Sequence, residues 1–148
     1  MRPATGLDEQ AVLDVLRADG DATGRQPSRA RLLRVRDKLR SPAALTLVAE
    51  RDGDVIGFVH AELARADDGA GPVGPGRLFL SLLCVAPQHR RAGAGRALAV
   101  ALLARFPHVD AWAVDEAGTA LLQAAGLAPT GRHGEVRGLP AVHLSTGA

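Results

Sequence analysis

The chain has 148 residues, of which 47% are hydrophobic and 23% are charged, so its composition excludes disorder and is typical of one folded domain. The formal net charge of +2 is too small to indicate a nucleic-acid partner, and the single cysteine, Cys84, excludes a disulfide within the chain. No apolar run approaches the roughly 20 residues of a membrane span and no leader opens the chain, so we expect a cytoplasmic protein without a membrane partner.

Two amphipathic helices are predicted in the first part of the chain. Asp8 precedes "EQAVLDVLRADG", in which apolar residues recur at helical spacing, and we expect Gly20 to end this helix. Residues 19–27 are then predicted to form a loop. Ser28 is the expected N-cap of the second helix, "RARLLRVRDKLR", which carries arginines outside its apolar face.

The pattern changes to strands at Ala44. "LTLVAE" and "VIGFVHAEL" flank the turn "RDGD", so these two segments are predicted to pair as a hairpin with Gly53 in the turn. "RADDGAGPVGPG" is too polar and too broken by proline to form an element, and it is predicted to be a flexible loop. "RLFLSLLCV" shows no alternation of apolar and polar residues, which favours a strand covered on both faces.

The second half of the chain alternates strands and helices. A loop rich in arginine and glycine precedes an apolar helix that ends near Pro107, and "VDAWAV" is the next predicted strand. Asp115 is the expected N-cap of "EAGTALLQAAG", and "GEVRG" with "AVHLS" predicts a closing pair of short strands. The order of the elements predicts a single α/β domain over residues 1–148, with one mixed sheet and helices on both faces.

The loop before the apolar helix has the composition of an anion site. A helix N-terminus carries unpaired N–H groups and about half a positive charge, and the missing side chains of Gly93 and Gly95 would let a phosphate approach the backbone. Three arginines surround these glycines, namely Arg90, Arg91 and Arg96. Neither the P-loop nor the dinucleotide-binding pattern fits, so the sequence predicts another phosphorylated ligand, with a solvated basic loop as the alternative.

This loop also resembles a known signature. The run from Arg90 to Gly95 is similar to the R/Q-x-x-G-x-G/A motif of the GNAT superfamily of N-acetyltransferases, and "LCVAP" precedes it at the spacing found in that family. The segments "RPAT", "VIGF" and "AGLAPTG" are similar to other parts of the family pattern, so the resemblance covers nearly the whole chain. It implies a GNAT-like fold, in which the two central strands of the mixed sheet splay apart.

The resemblance implies that acetyl-CoA is the acyl donor, and no metal is expected. In such proteins the N–H groups of the loop hold the pyrophosphate, while the preceding strand pairs with the pantetheine arm and polarises the thioester oxygen. Asp115 falls where the family often has an asparagine beside the cofactor, although a helix cap explains it equally well. The implied cofactor-binding residues are Leu83, Cys84, Val85, Arg90, Arg91, Ala92, Gly93, Ala94, Gly95, Arg96 and Asp115.

The implied reaction is the transfer of an acetyl group to a primary amine of a small molecule or a peptide, by direct attack of the amine. Many family members use a tyrosine four residues before the glycine that matches Gly126, but Leu122 stands there and the chain contains no tyrosine. The general acid is therefore unassigned. The amine must also lose a proton before it attacks, and Asp110 is the first candidate for the base, with His60 and Glu62 as alternatives.

Several alternatives stay open at this point. The missing tyrosine permits a non-catalytic acyl-CoA-binding or interaction module, and each candidate base is also explained as an ordinary surface or edge residue. Ser81 and Cys84 lie near the implied thioester, but we expect both to be strand residues only. The acceptor cleft is expected to involve residues 19–28 and 64–76. Nucleic acid is not an expected partner, whereas the sequence leaves a homodimer undecided.

Overall fold

A computed structural model describes residues 1–42, 44–65, 73–90 and 93–147 of the chain. The strands are β1 (Arg2–Pro3), β2 (Ala44–Arg51), β3 (Asp54–Arg65), β4 (Val73–Val85), β5 (Val109–Ala113), β6 (Ala128–Val136) and β7 (Leu139–Ser145). The helices are α1 (Glu9–Thr23), α2 (Arg29–Leu39), α3 (Ala94–Arg105) and α4 (Glu116–Ala125). The strands form a seven-stranded sheet in the order β1-β2-β3-β4-β5-β7-β6. Within it β4 and β5 are parallel, and the other neighbouring pairs are antiparallel.

The helices cover both faces of the sheet, which confirms the predicted fold class. α1 and α2 pack on one face, where Val12, Val35 and Phe58 are among the buried side chains that they share with the sheet. α3 and α4 pack on the other face, over a larger apolar core that includes Leu98 and Leu122. No residue of the segment "RLFLSLLCV" is exposed, as predicted for a strand covered on both faces.

The first helix is longer than the sequence predicts. α1 continues through Gly20 to Thr23 and ends where Gly24 takes the left-handed conformation, with φ of 71°. The prediction that Gly20 ends the helix, with a loop from residue 19, is therefore wrong. A Cβ at Gly20 would lie 2.8 Å from Cδ of Pro27, so this glycine allows the chain after the helix to fold back closely against it.

Asp8 lies at the N-cap position of α1, but its side chain makes no capping hydrogen bond to that helix. Its carboxylate instead accepts hydrogen bonds of 2.7 and 2.8 Å from the guanidinium of Arg2 and one of 2.7 Å from the backbone N–H of Thr5. The bonds from Arg2 and then Thr5 hold the pKa of Asp8 well below its ordinary value, against the opposing effect of burial. Asp8 therefore ties β1 to the start of α1.

The other predicted turns and caps are confirmed where the structure describes them. Ser28 Oγ accepts a hydrogen bond of 3.1 Å from a backbone N–H in the first turn of α2, and the β2–β3 turn holds Asp52 and Gly53 at φ of 53° and 85°. The closing hairpin of β6 and β7 is present. Residues 66–72 of the predicted flexible loop lie outside the described residues, but residues 73–76 belong to β4, where the loop prediction is wrong.

Candidate active site

A wedge-shaped gap opens between the two central strands. β4 pairs with β5 only over residues 78–80, opposite residues 109–111. A bulge at Ser81 shifts the register of β4 against β3 at the same level. Beyond this bulge β4 and β5 separate, which confirms the expected splay of the central strands. We call this gap the wedge; residues 82–85 of β4 and 112–113 of β5 form its sides.

Backbone groups of β4 point into the wedge. The N–H of Ala86 donates a hydrogen bond of 2.8 Å to the carbonyl of Ile56 in β3. Because backbone groups alternate sides along a strand, those of Cys84 also face β3, whereas the N–H and C=O of Leu83 and Val85 face the wedge. These two residues therefore offer an extended ligand the hydrogen-bonding groups that the edge of a sheet presents.

The N-terminus of α3 is free of caps. Its N-cap residue, Gly93, has φ of 83°, a left-handed conformation that favours glycine. The first helical hydrogen bond runs from the N–H of Ala97 to the carbonyl of Gly93, so the N–H groups of residues 94–96 have no partner within the helix. Within the described parts of the chain no side chain caps them, and the first turn holds no acidic residue. This positive end of the helix remains available to an anion.

Gly95 lies at the contact between α3 and α4. A Cβ at this position would lie 2.8 Å from Cδ1 of Leu121 in α4 and 3.6 Å from Cγ2 of Val85. The missing side chain therefore lets α3 pack closely on α4 and beside the end of β4. The surroundings of Gly95 do not support the expectation that it makes room for a phosphate. Among the described residues, no atom lies within 4 Å of the Cβ position of Gly93, and its requirement is the positive φ.

The arginines of the loop differ in their surroundings. Arg90 forms an ion pair with Asp19 in the last turns of α1, and this contact ties the loop to α1. Arg96 is exposed in the first turn of α3. Arg91 and Ala92, two of the predicted cofactor-binding residues, lie outside the described residues.

Asp115 is a helix cap, as one of its two interpretations predicts. Its Oδ1 accepts a hydrogen bond of 2.7 Å from the N–H of Gly118 in α4. A groove of about 550 Å³ between α4 and the β6–β7 hairpin includes Asp115 in its lining. None of the lining residues belongs to β4 or α3, but Ala113, on the β5 side of the wedge, is one of them.

Asp110, the first candidate for the base, is held in an ion pair. Its carboxylate accepts hydrogen bonds of 2.6 and 3.0 Å from the guanidinium of Arg77, which also donates to Ser145 Oγ at 3.0 Å. Burial raises the pKa of Asp110, but the bonds from Arg77 and Ser145 and the charges of Arg77 and His143 together outweigh it, so the pKa lies below its ordinary value. A carboxylate with both oxygens bonded and a lowered pKa is a weak base.

His60 and Glu62, the alternative bases, lie on the same face of β3. His60 is fully buried; its Nδ1 lies 2.8 Å from Oγ1 of Thr46, and its Nε2 has no hydrogen-bond partner among the described residues. Burial lowers the pKa of His60; the charge of Glu62 opposes this effect to a smaller extent, and the charge of Lys38 adds to it, so the ring is neutral at pH 7. Glu62 lies 3.6 Å from Nζ of Lys38. His60 therefore keeps an unbonded basic nitrogen, whereas the carboxylate of Glu62 forms an ion pair with Lys38.

Ser81 and Cys84 are poor candidates for the general acid. Ser81 Oγ donates a hydrogen bond of 3.2 Å to the carbonyl of His60, across the bulge in β4. Burial, and after it the charge of Asp19, raises the pKa of the Cys84 thiol to about 12. Cys84 therefore releases its proton less readily than an ordinary thiol does.

Sequence patterns did not point to two side chains that surround Asp110, namely Arg77 and His143. Arg77 begins the apolar segment "RLFLSLLCV", and His143 lies in the segment "AVHLS", where its Nδ1 is 2.9 Å from Oγ1 of Thr130. Each is a polar residue in an apolar strand. A buried polar group requires a partner, so this isolated position was the signal that could have pointed to them.

Comparison with known proteins identifies the family. A family model described as the acetyltransferase (GNAT) family matches residues 11–125, the greater part of the chain. The chain belongs to the GNAT acetyltransferase family. A mycothiol acetyltransferase from Salinispora arenicola is 38% identical over 112 residues, which cover 72% of this chain and 33% of that protein. The chain therefore spans about a third of the length of this curated relative.

Solved structures of GNAT acetyltransferases share the fold. One from Bacillus cereus is 19% identical, with a TM-score of 0.72 over 97% of this chain and 93% of that chain. An aminoglycoside 6'-N-acetyltransferase complexed with coenzyme A is 12% identical, with a TM-score of 0.72 over 98% of this chain and 96% of that chain. At such identities the likeness establishes the GNAT fold alone.

This GNAT chain departs from the family pattern at the position of the tyrosine. Leu122 is only 5% exposed and packs in the core below α3 and α4, so the side chain at this position serves packing. Across the described ranges, no group of three His, Cys, Asp or Glu side chains is placed to hold a metal ion. No helix in the same ranges is long and apolar enough to cross a membrane.

Proposed function

We propose that this GNAT protein transfers an acetyl group from acetyl-CoA to a primary amine of a small molecule or a peptide. The observation that carries the proposal is the wedge. Its side on β4 offers the backbone groups of Leu83 and Val85, and the uncapped N-terminus of α3 lies beside the end of that strand. A ligand with an extended polar arm and a phosphate group matches these two features, and acetyl-CoA has both.

Backbone groups hold the cofactor in this proposal. The N–H groups of residues 94–96 bind the pyrophosphate, and the guanidinium of Arg96 adds a positive charge beside them. Leu83 and Val85 pair with the pantetheine arm. Acetyl-CoA supplies the acetyl group in activated form, as a thioester. An N–H group of the same β4 segment polarises the carbonyl oxygen, as the donors of an oxyanion hole do.

His60 is the proton acceptor in this proposal, in place of Asp110. Its Nε2 is unbonded, burial keeps the ring neutral, and the contact with Thr46 orients the imidazole. His60 pairs across the sheet with Leu82, the first residue of the wedge on β4. The amine, or a water that bridges to it, therefore needs to enter beside Leu82 to reach Nε2.

Water protonates the departing thiolate of coenzyme A in this proposal. The chain contains no tyrosine, and Leu122 occupies the corresponding position in the core. The raised pKa of Cys84 makes this thiol a weaker acid than an ordinary thiol. Solvent at the open side of the wedge is then the remaining source of the proton.

Binding and turnover test the function separately. Acetyl-CoA at about 100 times its Kd should raise the free energy of unfolding by about 2.7 kcal/mol, measured by denaturation with and without the ligand. A panel of primary amines should then release coenzyme A. Binding without release from any amine would favour the non-catalytic acyl-CoA module, and a fold that gains no stability from acetyl-CoA would exclude both functions.

Two variants separate the candidate bases. His60→Gln should lower the rate at saturating amine on the order of 100-fold, and the deficit should shrink as rising pH supplies more free amine. Asp110→Asn should leave that rate within a few-fold of the parent. A large loss of rate in Asp110→Asn with a small loss in His60→Gln would instead identify Asp110 as the general base. Small effects in both variants would mean that the amine loses its proton to solvent and that the site works by holding the reactants together.

A further inference from the structure

Trp112 lies at the start of the wedge and is only half-buried. It follows Ala111, the last residue of β5 that pairs with β4, so it is the first residue on the β5 side of the wedge. Part of its side chain remains in contact with water. The indole therefore keeps aromatic surface with which a ligand in the wedge can make contact.

The side chain of Trp112 projects onto the α1–α2 face of the sheet. Ala111 and Ala113 are buried in the core under α3 and α4, and side chains alternate between the two faces along a strand. Leu82, the first residue of the wedge on β4, packs against the apolar cluster under α1 and α2. Trp112 and Leu82 therefore flank the start of the wedge on the same face, one from each strand.

An amine that reaches His60 from this face passes between these two side chains. His60 pairs directly with Leu82, and residues that lie opposite each other in a sheet place their side chains on the same face. The nitrogen of the amine enters beside Leu82 to reach Nε2 of His60. The group that carries the amine then remains next to the indole of Trp112.

The indole is held in place by β6 and β7. A Cβ at Gly134 of β6 would lie 3.1 Å from Cη2 of Trp112, so the missing side chain makes room for the ring. His143 is the cross-strand neighbour of Trp112 in β7, and its ring lies at a centroid distance of 5.0 Å, tilted by 60°. Because the indole is already ordered, a ligand that packs on it causes little further loss of conformational entropy.

The charged groups around the indole already have partners. Asp110 lies two residues before Trp112 on the same face, and Arg77 binds its carboxylate. The guanidinium of Arg132 lies over the indole, 5.6 Å from the ring centroid, which shows that a flat group fits there. Arg132 is exposed, and an exposed contact of this kind is weak, so an uncharged ring can replace it.

We propose that the acceptor carries its primary amine on an uncharged aromatic group, which stacks on the indole of Trp112 while the nitrogen reaches His60. The inference rests on the proposed acetyl transfer, because it names the substrate class of the same site. Trp112 is then a specificity-determining residue, and Leu82 provides the apolar surface on the other side of the entrance.

A comparison of amines in the parent and in Trp112→Leu tests this contact. The measure is kcat/KM for 2-phenylethylamine divided by that for propylamine, since the different basicities of the amines cancel when this ratio is compared between proteins. Trp112→Leu should lower the ratio about tenfold. The corresponding ratio for 2-cyclohexylethylamine, whose ring is not flat, should fall by no more than about threefold. An unchanged ratio for the aromatic amine, or equal falls for both rings, would overturn the proposal.

Two further variants assign the effect to the aromatic ring. Trp112→Phe keeps a ring at the site and should hold the ratio within about threefold of the parent value. Phe106→Leu is the matched control, because Phe106 follows the C-terminal end of α3, away from the N-terminus that adjoins the wedge. A fall in Phe106→Leu as large as that in Trp112→Leu would show a general effect of destabilisation and contradict the assignment.

Arg132→Gln distinguishes an uncharged ring from a charged acceptor. The KM for 2-phenylethylamine should stay the same or fall, because the ring no longer competes with the guanidinium. A rise of about tenfold would show that the acceptor binds this guanidinium instead, and would overturn the proposal. So would a loss of kcat/KM in Trp112→Leu that is larger for 1,4-diaminobutane than for 2-phenylethylamine, because the indole would then hold a cation.

A binding measurement separates the aromatic site from catalysis. Trp112 is the only tryptophan and the chain has no tyrosine, so the indole fluorescence reports on this residue alone. With coenzyme A present, N-acetyl-2-phenylethylamine should change this fluorescence in a saturable way, and calorimetry should show about tenfold weaker binding to Trp112→Leu. If no amine is acetylated but these differences appear, the proposed function fails and the aromatic site stands. If the product binds parent and variant equally, the aromatic site fails whatever the turnover.

Discussion

His60 shows how burial sets the chemistry of one residue. Its ring is fully buried. Nδ1 is hydrogen-bonded with Oγ1 of Thr46, whereas Nε2 has no partner among the described residues. Since burial disfavours the charged ring, the pKa of His60 falls below its ordinary value of 6.5. A neutral ring with a free nitrogen is what a general base requires, and the same burial makes the residue sensitive to acid.

The first prediction concerns the pH dependence of stability. Between the lowered folded pKa of His60 and 6.5, the unfolded chain binds more protons than the folded chain, so stability rises with pH through this window and is lost as pH falls below 6.5. His60→Gln should flatten this part of the curve of unfolding free energy against pH, measured from about pH 8 to 5. The control, His108→Gln, replaces an exposed histidine and should leave the curve unchanged; the same flattening in both variants would contradict the prediction.

Asp110 illustrates the opposite case, in which a partner removes the basicity of a residue. Arg77 takes both carboxylate oxygens and also bonds Ser145 Oγ and the carbonyl of Gly147. This cluster joins the beginning of the apolar part of β4 to β5 and to the end of β7. Its geometry is that of a structural ion pair. We expect the carboxylate to stabilise the fold because its negative charge balances the guanidinium of Arg77.

The second prediction follows from this ion pair. Asp110→Asn keeps the shape of the side chain but leaves the half-buried guanidinium of Arg77 without its counter-charge, so the free energy of unfolding should fall by about 1–3 kcal/mol. Chemical denaturation measures the loss, and Asp21→Asn, at an exposed position in α1, is the control. An Asp110→Asn variant as stable as the parent would show that the pair does not support the fold.

At the scale of elements, the junction of β4 and α3 depends on two glycines with different physical roles. Gly93 is the left-handed residue at which the chain enters α3, and no atom of the residues that the structure describes lies within 4 Å of its Cβ position. Gly95 is buried against Leu121 of α4, so its missing side chain sets how closely α3 and α4 approach. This packing places the free N–H groups of α3 beside the end of β4.

The third prediction tests this packing by a substitution whose effect on the free energy of unfolding should have opposite signs in two backgrounds. Gly95→Ala gains about 1 kcal/mol of helix propensity, but the new methyl group must displace Leu121, at a cost of about 1–3 kcal/mol. The substitution should therefore destabilise the parent, by up to about 2 kcal/mol, and should stabilise a Leu121→Ala background, in which the space is free. Equal effects of Gly95→Ala in both backgrounds, measured by denaturation, would disprove the contact.

At the scale of the whole molecule, the sheet consists of two arms that meet at the wedge. One arm holds β1 to β4, and the other holds β5, β7 and β6; they share the short parallel pairing of residues 78–80 with 109–111. The α1–α2 pair covers the first arm, and the β6–β7 turn extends from the second. A ligand in the wedge would therefore lie between both arms. It could bind the backbone groups of β4 that have no partner in β5 beyond Ser81.

The fourth prediction measures this pairing by amide hydrogen exchange. In the free protein the amides of Leu83 and Val85 should exchange faster than that of Cys84, which faces β3. Coenzyme A should protect Leu83 and Val85 together with residues 94–96, because each then gains a hydrogen-bond acceptor. Amides in the middle of α2 serve as the control and should not change. Protection of Leu83 and Val85 without the ligand would contradict the geometry of the wedge.

The sequence by itself determined the features that depend on neighbours along the chain. The caps at Ser28 and Asp115 and the turn at Asp52 and Gly53 follow from the conformational preferences of a few consecutive residues, and the structure confirms them. The fold class and the family followed from the same kind of local information, namely the order of the elements and one loop motif. A prediction from local preference failed where another segment packs against the residue. Gly20 was expected to end α1, but it lies inside the helix, and its missing side chain leaves room for Pro27.

Only the tertiary structure decided which distant residues meet. Arg77 binds Asp110 across 33 positions of sequence, and Leu121 faces Gly95 from another helix. Such contacts depend on strand register and on the distance between packed helices, and neither property is encoded in the periodicity of a segment. The properties of the site, from the weak base at Asp110 to the position of α3 beside β4, arise from these contacts.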